Sequence, residues 1–125
     1  MSHQPVAYQR SDIVLVPFPF TDLSRQKARP SVVISSPFYN ARMNDLILVA
    51  ISSKTGKIDP VLELLIPLSH PQFAITGLRV LSVIKIGKIV TIDQSLVYHK
   101  LGSLPPDLMT QLEQRLRNVL DLNRK

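Results

Sequence analysis

The apolar residues of this chain follow one rule as far as Leu104 and a different one after Pro105. Up to that point they fall in short runs rich in β-branched side chains: DIVLVPFPF (12–20), RPSVVIS (29–35), DLILVAISS (45–53), VLELLIPL (61–68), LRVLSVIKI (78–86), GKIVTID (87–93) and SLVYHKLG (95–102). Runs of that length and composition, divided by Pro, Gly, Ser and charged residues, predict strands. Beyond the prolines, Leu108, Met109, Leu112, Leu116, Val119 and Leu120 recur at helical spacing. Pro105 and Pro106 sit where a helix begins, so their missing N–H groups leave nothing unpaired. A chain that spends its strands first and its helix last does not build βαβ units. The pattern predicts six or seven strands in a small barrel or sandwich, closed by one amphipathic helix over 105–122. The helix's apolar stripe serves either to pack on the sheet or to meet a partner.

Local signals refine this outline. Pro17 and Pro19 cannot donate to a ladder, so the first strand ends there or lies at an edge. Residues 45–53 are the most continuously apolar and predict the central strand. A turn and a short helix are expected over 36–44, exposed loops over 21–28 and 54–60, and a bulge or turn at Gly87 between two paired short strands. Residues 1–10 read as a polar, loose lead-in, leaving a single domain over 11–125. A chain of 125 residues, 45% hydrophobic and 19% charged, can bury a real core and is not of disordered composition. No apolar run reaches the roughly 18–20 residues that cross a bilayer. The opening MSHQPVAYQR lacks the apolar stretch of a secretory signal. The absence of cysteine excludes disulfides and thiolate metal sites and suits a cytoplasmic address.

The net charge of +6 favours polyanionic partners without choosing among them. Arg25, Lys27 and Arg29 crowd the entrance to the second strand. Several familiar chemistries fail. SKTGK (53–57) lacks both the upstream Gly and the following Ser or Thr of a phosphate-binding loop, since positions 51 and 58 are Ile. His3, His70 and His99 have no Cys or carboxylate at ligand spacing, which argues against a metal site. There is no GxSxG elbow and no evident catalytic carboxylate pair. What remains is Arg29, next to Pro30, and the hydroxyl pair Ser52–Ser53 closing the central strand ahead of Lys54 and Lys57. Strand ends can bring these within one strand spacing, and a guanidinium fork with hydroxyls beside it suits a phosphodiester. An ordinary surface Arg and an ordinary strand exit would leave the same trace.

Across nearly the whole chain the sequence resembles the PemK/MazF family of toxin endoribonucleases. The resemblance rests on SDIVLVPFPFTD, RPSVVIS, YN at 39–40, LVAISS at 48–53, VTID at 90–93 and the closing KLGSL with its helix, in family order. It implies a small SH3-like β-barrel with a C-terminal helix (the MazF/CcdB-type toxin fold) and a homodimer. It also implies metal-independent cleavage of single-stranded RNA at short motifs, with growth inhibition, and neutralisation by a cognate antitoxin that binds DNA in complex with the toxin. The family's catalytic Arg falls on Arg29 and its strand-end hydroxyl, usually Thr, on Ser52, while Ser53 matches a second small or hydroxyl position. Where some members carry an Arg and an Asp, this chain has Lys85 and Gly87. Lys85 keeps the charge without the bidentate fork, and Gly87 can act as neither acid nor base. The loop DLSRQKA lacks the family's Glu.

The resulting expectation is a ribonuclease in which Arg29, Ser52 and Lys85 are catalytic and Arg25, Lys27, Ser53, Lys54 and Lys57 bind RNA. No metal or cofactor is expected, and no residue is assigned as the general base. Two alternatives stand beside it: an inactive barrel that only binds RNA or antitoxin, and a toxin that poisons a protein such as gyrase through its C-terminal helix.

Overall fold

The computed structural model describes residues 8–18 and 27–123. The strands are β1 (Asp12–Phe18), β2 (Lys27–Val33), β3 (Asp45–Ser52), β4 (Leu64–Ile66), β5 (Ser82–Asp93) and β6 (His99–Ser103). The helices are α1 (Pro37–Met43) and α2 (Pro106–Leu120), with short 3-10 turns at Phe73–Thr76 and Gln94–Leu96. Among the described residues the strands form one antiparallel sheet in the order β4-β5-β3-β2-β1-β6. The mainly-β reading with a closing helix therefore holds, and the sheet curls into a half-barrel whose edges are β4 and β6. β3 is central, as its unbroken apolar run implies.

Both faces of the sheet are buried. On one, Ile13, Val32, Val49, Ile51, Ile84 and Ile86 pack with Leu104, Leu108, Met109 and Leu112, so the apolar stripe of α2 is spent on the sheet. On the other, Val14, Val16, Phe18, Val33, Leu46 and Leu48 close against Tyr8, Val90, Ile92 and Val97. Burial of such side chains is worth about 1.5–3 kcal/mol each before entropy is counted. Alternation along β1 and β2 distributes neighbouring residues between the two cores.

Several elements differ from the sequence expectation for local reasons. The runs at 78–86 and 87–93 are not two paired strands. They form the single strand β5, because both halves pair with β3 and the interruption is absorbed as a bulge. Val49 faces Ile89 while Ala50 faces Lys85, so Ile86, Gly87 and Lys88 bow out of the ladder. The fourth strand shrinks to Leu64–Ile66 because Asp59 Oδ1 accepts the N–H groups of Val61 (2.9 Å) and Leu62 (3.4 Å), turning the chain ahead of it. β2 begins at Lys27 instead of Arg29, since Phe18 and Pro17 of β1 pair with Lys27 and Ala28. Pro17 is accommodated because β6 pairs only with Asp12–Leu15, leaving that stretch of β1 open on one side.

Three anchors hold the periphery. Ser36 caps α1 by accepting the Tyr39 N–H at 3.1 Å, and buried Asn40 bonds Ser35, whose Oγ accepts the Ile47 N–H at 3.0 Å. Of the predicted lead-in, residues 1–7 lie outside the described residues. At its inner end Arg10 meets Glu113 of α2 at 2.6 Å and its Nε–H donates to the Ile34 carbonyl at 3.2 Å.

Candidate active site at the ends of β2 and β3

The β2–β3 ladder runs Val33↔Leu48, Val32↔Val49, Ser31↔Ala50 and stops before Pro30, which has no N–H to offer. Beyond that point β2 pairs only with β1, where Arg29 faces Val16, and β3 only with β5, where Ser52 faces Val83, so the register projected past the ladder's end would set Arg29 across from Ser52. Alternation also puts both on one face of the sheet, since Arg29 shares the parity of Ser31 and Val33, and Ser52 that of Ala50 and Leu48. The two residues singled out from the sequence thus lie on neighbouring strands, just past the end of the ladder that joins them. Arg29 is half-buried, and Ser52 is half-buried with its Oγ accepting the Lys54 N–H at 3.1 Å.

Lys85 sits opposite Ala50 on β5, two strands from Arg29. Its Nζ lies 2.8 Å from Glu63 Oε2, so its charge is committed to a carboxylate. Burial on its own would raise the Glu63 carboxyl, but the Lys85 hydrogen bond, the Asp59 N–H and the Lys85 charge together outweigh it and hold the group below its ordinary value. Arg115 of α2 donates Nε–H to the Glu63 carbonyl at 2.8 Å, fixing the same residue from the helix side. Lys27 is exposed at the start of β2, and Ser53, Lys54 and Lys57 are exposed on the turn after β3. Arg25 lies outside the described residues. Gly87, on the bulge, is exposed with open space around it.

Beside Arg29 a cavity of about 410 Å³ opens at the sheet's end. Pro30, Ile51 and Ser53 line it from the strands, and Leu78 and Arg79 line it from the loop that follows Gly77. Arg79 is a residue of this cavity that the sequence did not single out. It follows a Gly-Leu pair with no charge cluster around it, and only the fold shows that it shares a cavity with Arg29.

The histidines play other parts. His70 Nε2 meets both carboxylate oxygens of Asp107 at 2.8 and 3.0 Å, while its Nδ1 accepts the Gln72 N–H at 3.0 Å. The His70 hydrogen bond holds the Asp107 carboxyl below its ordinary range. Both ring nitrogens are occupied, so this dyad fastens a loop to α2 and has no nitrogen left to act as a base. His3 lies outside the described residues. Among the described residues no three His, Asp or Glu side chains gather as a metal site.

A family model described as PemK-like, MazF-like toxin of type II toxin-antitoxin system matches residues 9–120. An endoribonuclease MazF2 of Mycobacterium bovis is 33% identical over 97 residues, covering 77% of this chain and 81% of that protein. An endoribonuclease MazF6 of Mycobacterium tuberculosis matches to the same extent. Among solved structures, a mycobacterial endoribonuclease in complex with its cognate antitoxin superposes with a TM-score of 0.72 at 18% identity, covering 95% of this chain and 100% of that one. The Mycobacterium tuberculosis toxin MazF-mt6 superposes at 0.70 and 18% identity, covering 90% and 99%. A MazE–MazF complex from Deinococcus radiodurans gives 0.69 at 19% identity, covering 91% and 96%. At these identities the superpositions speak for the fold.

Proposed function

The chain belongs to the PemK-like, MazF-like family of type II toxin–antitoxin toxins, and from that premise we propose how it acts: as an endoribonuclease that cuts single-stranded RNA without a metal. The observation that carries this reading is the open cavity at the ends of β2 and β3, lined by Arg29, Arg79 and Ser53, the residue next to Ser52. In the step we assign, the 2′-oxygen of the RNA attacks the adjacent phosphorus and the 5′-oxygen leaves. The 2′-proton passes to solvent water, the leaving oxygen takes a proton from solvent water, and the products are a 2′,3′-cyclic phosphate and a 5′-hydroxyl.

Arg29 supplies bidentate N–H donors to the phosphorane oxygens, whose charge grows in the transition state. Ser52 holds the phosphate or the ribose in line for attack. Neither takes the proton, because the guanidinium stays protonated and a serine hydroxyl is no base. Lys85 lends a charge to the same face from its place beside Glu63. Lys27, Lys54 and Lys57 track the backbone. The same cationic surface suits an acidic antitoxin segment, so inhibitor and RNA compete for it, and the toxin works in the cytoplasm as a homodimer.

The test is cleavage of mixed RNA oligonucleotides by the purified protein in excess EDTA, with Arg29→Ala alongside. Wild-type products ending in cyclic phosphate, absent with the variant, support the reading. Binding without cleavage by either protein would make this an inactive member that only sequesters RNA, with Gly87 at the position where an acidic residue is missing.

A further inference from the structure

The cavity beside Arg29 has a far wall that the cleavage reading leaves unused. That wall is built with unusual firmness. The 3-10 turn at Phe73–Thr76 ends on Gly77 with φ of 72°, and a Cβ there would stand 2.0 Å from the Leu101 carbonyl oxygen. On the facing strand, a Cβ on Gly102 would stand 2.2 Å from the Ile75 carbonyl oxygen. Two backbones therefore touch directly, each at a glycine. Thr76 is fully buried. Its Oγ1 donates to the Phe73 carbonyl at 2.7 Å and accepts the Leu78 N–H at 3.1 Å. Further along, the Ser82 hydroxyl donates to the Val80 carbonyl at 2.9 Å. The segment carrying Leu78 and Arg79 is thus pinned to β6 at one end and to the start of β5 at the other.

Arg79 is exposed and lines the same cavity as Arg29. The remaining lining includes the apolar Pro30, Ile51 and Leu101, and no described residue of the lining is acidic. A simple inorganic anion would match the cavity's positive charge but leave the apolar floor wet. An apolar ligand would cover the floor but bring no negative charge to the exposed Arg79. A nucleotide answers both, with a flat base for the floor and a phosphate on each side for the cations. At about 410 Å³ the cavity lies in the range of small-ligand sites.

Resting on the ribonuclease reading, we propose that Arg79 is a specificity-determining residue. Arg29 holds the phosphate that is cut, Arg79 holds the neighbouring phosphate, and the base of the nucleotide between them enters the cavity. Because the wall is fixed before RNA arrives, Arg79 selects among bases by where it places the backbone. A guanidinium grips phosphate oxygens in a fork that an ammonium cannot reproduce.

The experiment compares wild type, Arg79→Ala and Arg79→Lys on a pool of random-sequence single-stranded RNA, with cleaved ends sequenced. KM and kcat are then measured on the preferred substrate, and binding is followed by fluorescence anisotropy over a range of salt. Arg79→Ala is expected to raise KM about tenfold with kcat little changed, and to relax base preference at one position beside the cut. It should also lower the log–log salt slope of binding by about 0.7, the share of one phosphate contact on a single strand. Arg79→Lys restores the salt slope but not the base preference. Arg79→Ala with wild-type KM, cut sites and salt slope overturns the proposal. So does a loss confined to kcat, which would move Arg79 to the phosphate being cut. If the wild type binds RNA and cuts none, the ribonuclease reading falls by itself, and the salt slopes still decide whether Arg79 holds a phosphate.

Discussion

Lys85 Nζ lies 2.8 Å from Glu63 Oε2, and Glu63 Oε1 accepts the Asp59 N–H at 2.9 Å. The pair joins β5 to the turn ahead of β4, and both side chains are about one-fifth to one-quarter exposed. Lys85→Ala leaves that carboxylate without its cation. We expect a loss of stability of about 1 kcal/mol, solvent screening having trimmed the pair's worth. Activity should fall less than tenfold, against the 100- to 1,000-fold typical of removing a transition-state donor, which we expect for Arg29→Ala. Urea unfolding and initial cleavage rates on one substrate check both. A Lys85→Ala loss as deep as that of Arg29→Ala would place Lys85 at the scissile phosphate.

The same pair sets a pH dependence. The Glu63 carboxyl is held below its ordinary value of 4.5, and Asp107, hydrogen-bonded by His70, below 3.8. A carboxyl lowered by folding binds fewer protons in the native state than in the unfolded chain. Its contribution is therefore complete above the ordinary value and disappears as pH falls through the lowered one. The Tm of wild type should exceed that of Glu63→Gln at pH 7, and the gap should close below pH 4. A gap that widens on acidification would contradict the assignment.

The sequence made the strands legible because their burial is written in β-branched runs, and the helix because its period changes at Pro105. The bulge in β5 was only half legible. Gly87 marked an irregularity, but whether the chain reverses there or carries on depends on β3 offering partners to both halves. The shortening of β4 turned on one side chain, Asp59, capturing its own neighbours. At the candidate site, Arg29 and Ser52 could be singled out from local chemistry because neighbouring strand ends lie close in any sheet. Arg79 and the Lys85–Glu63 pair could not, since each depends on a contact between elements far apart in sequence.

The glycines should separate sharply. A Cβ at Gly77 or Gly102 meets backbone at 2.0 or 2.2 Å, whereas one at Gly87 has nothing within 4 Å. Gly77→Ala also strains a positive φ, which alone costs about 1–3 kcal/mol. Thermal melts should show Gly77→Ala and Gly102→Ala strongly destabilised and Gly87→Ala indistinguishable from wild type or slightly better. Gly87→Asp should likewise fold normally, so its cleavage rate reports directly on whether a carboxylate at the bulge helps.

Ser31 Oγ is buried in β2 and has no hydrogen-bond partner among the described residues. A buried hydroxyl without a partner carries a desolvation penalty of about 1–3 kcal/mol. Ser31→Ala removes the hydroxyl at the expense of one small atom's packing. Chemical denaturation should show the variant equal to wild type or up to about 1 kcal/mol more stable. A clear loss would mean that the hydroxyl has an internal water to bind.

Arg29→Lys distinguishes geometry from charge at the proposed centre. Lysine keeps the positive charge that draws RNA, so affinity and the salt dependence of binding should stay near wild type. It gives up the planar fork that meets two phosphorane oxygens at once, so kcat should fall about as far as in Arg29→Ala. The alanine variant loses both, and its salt slope should drop by about 0.7. Single-turnover cleavage and anisotropy titrations on one oligonucleotide separate the two effects. If Arg29→Lys retained full kcat, Arg29 would be serving as a point charge that gathers substrate, and stabilisation of the phosphorane would have to come from elsewhere on the sheet's end.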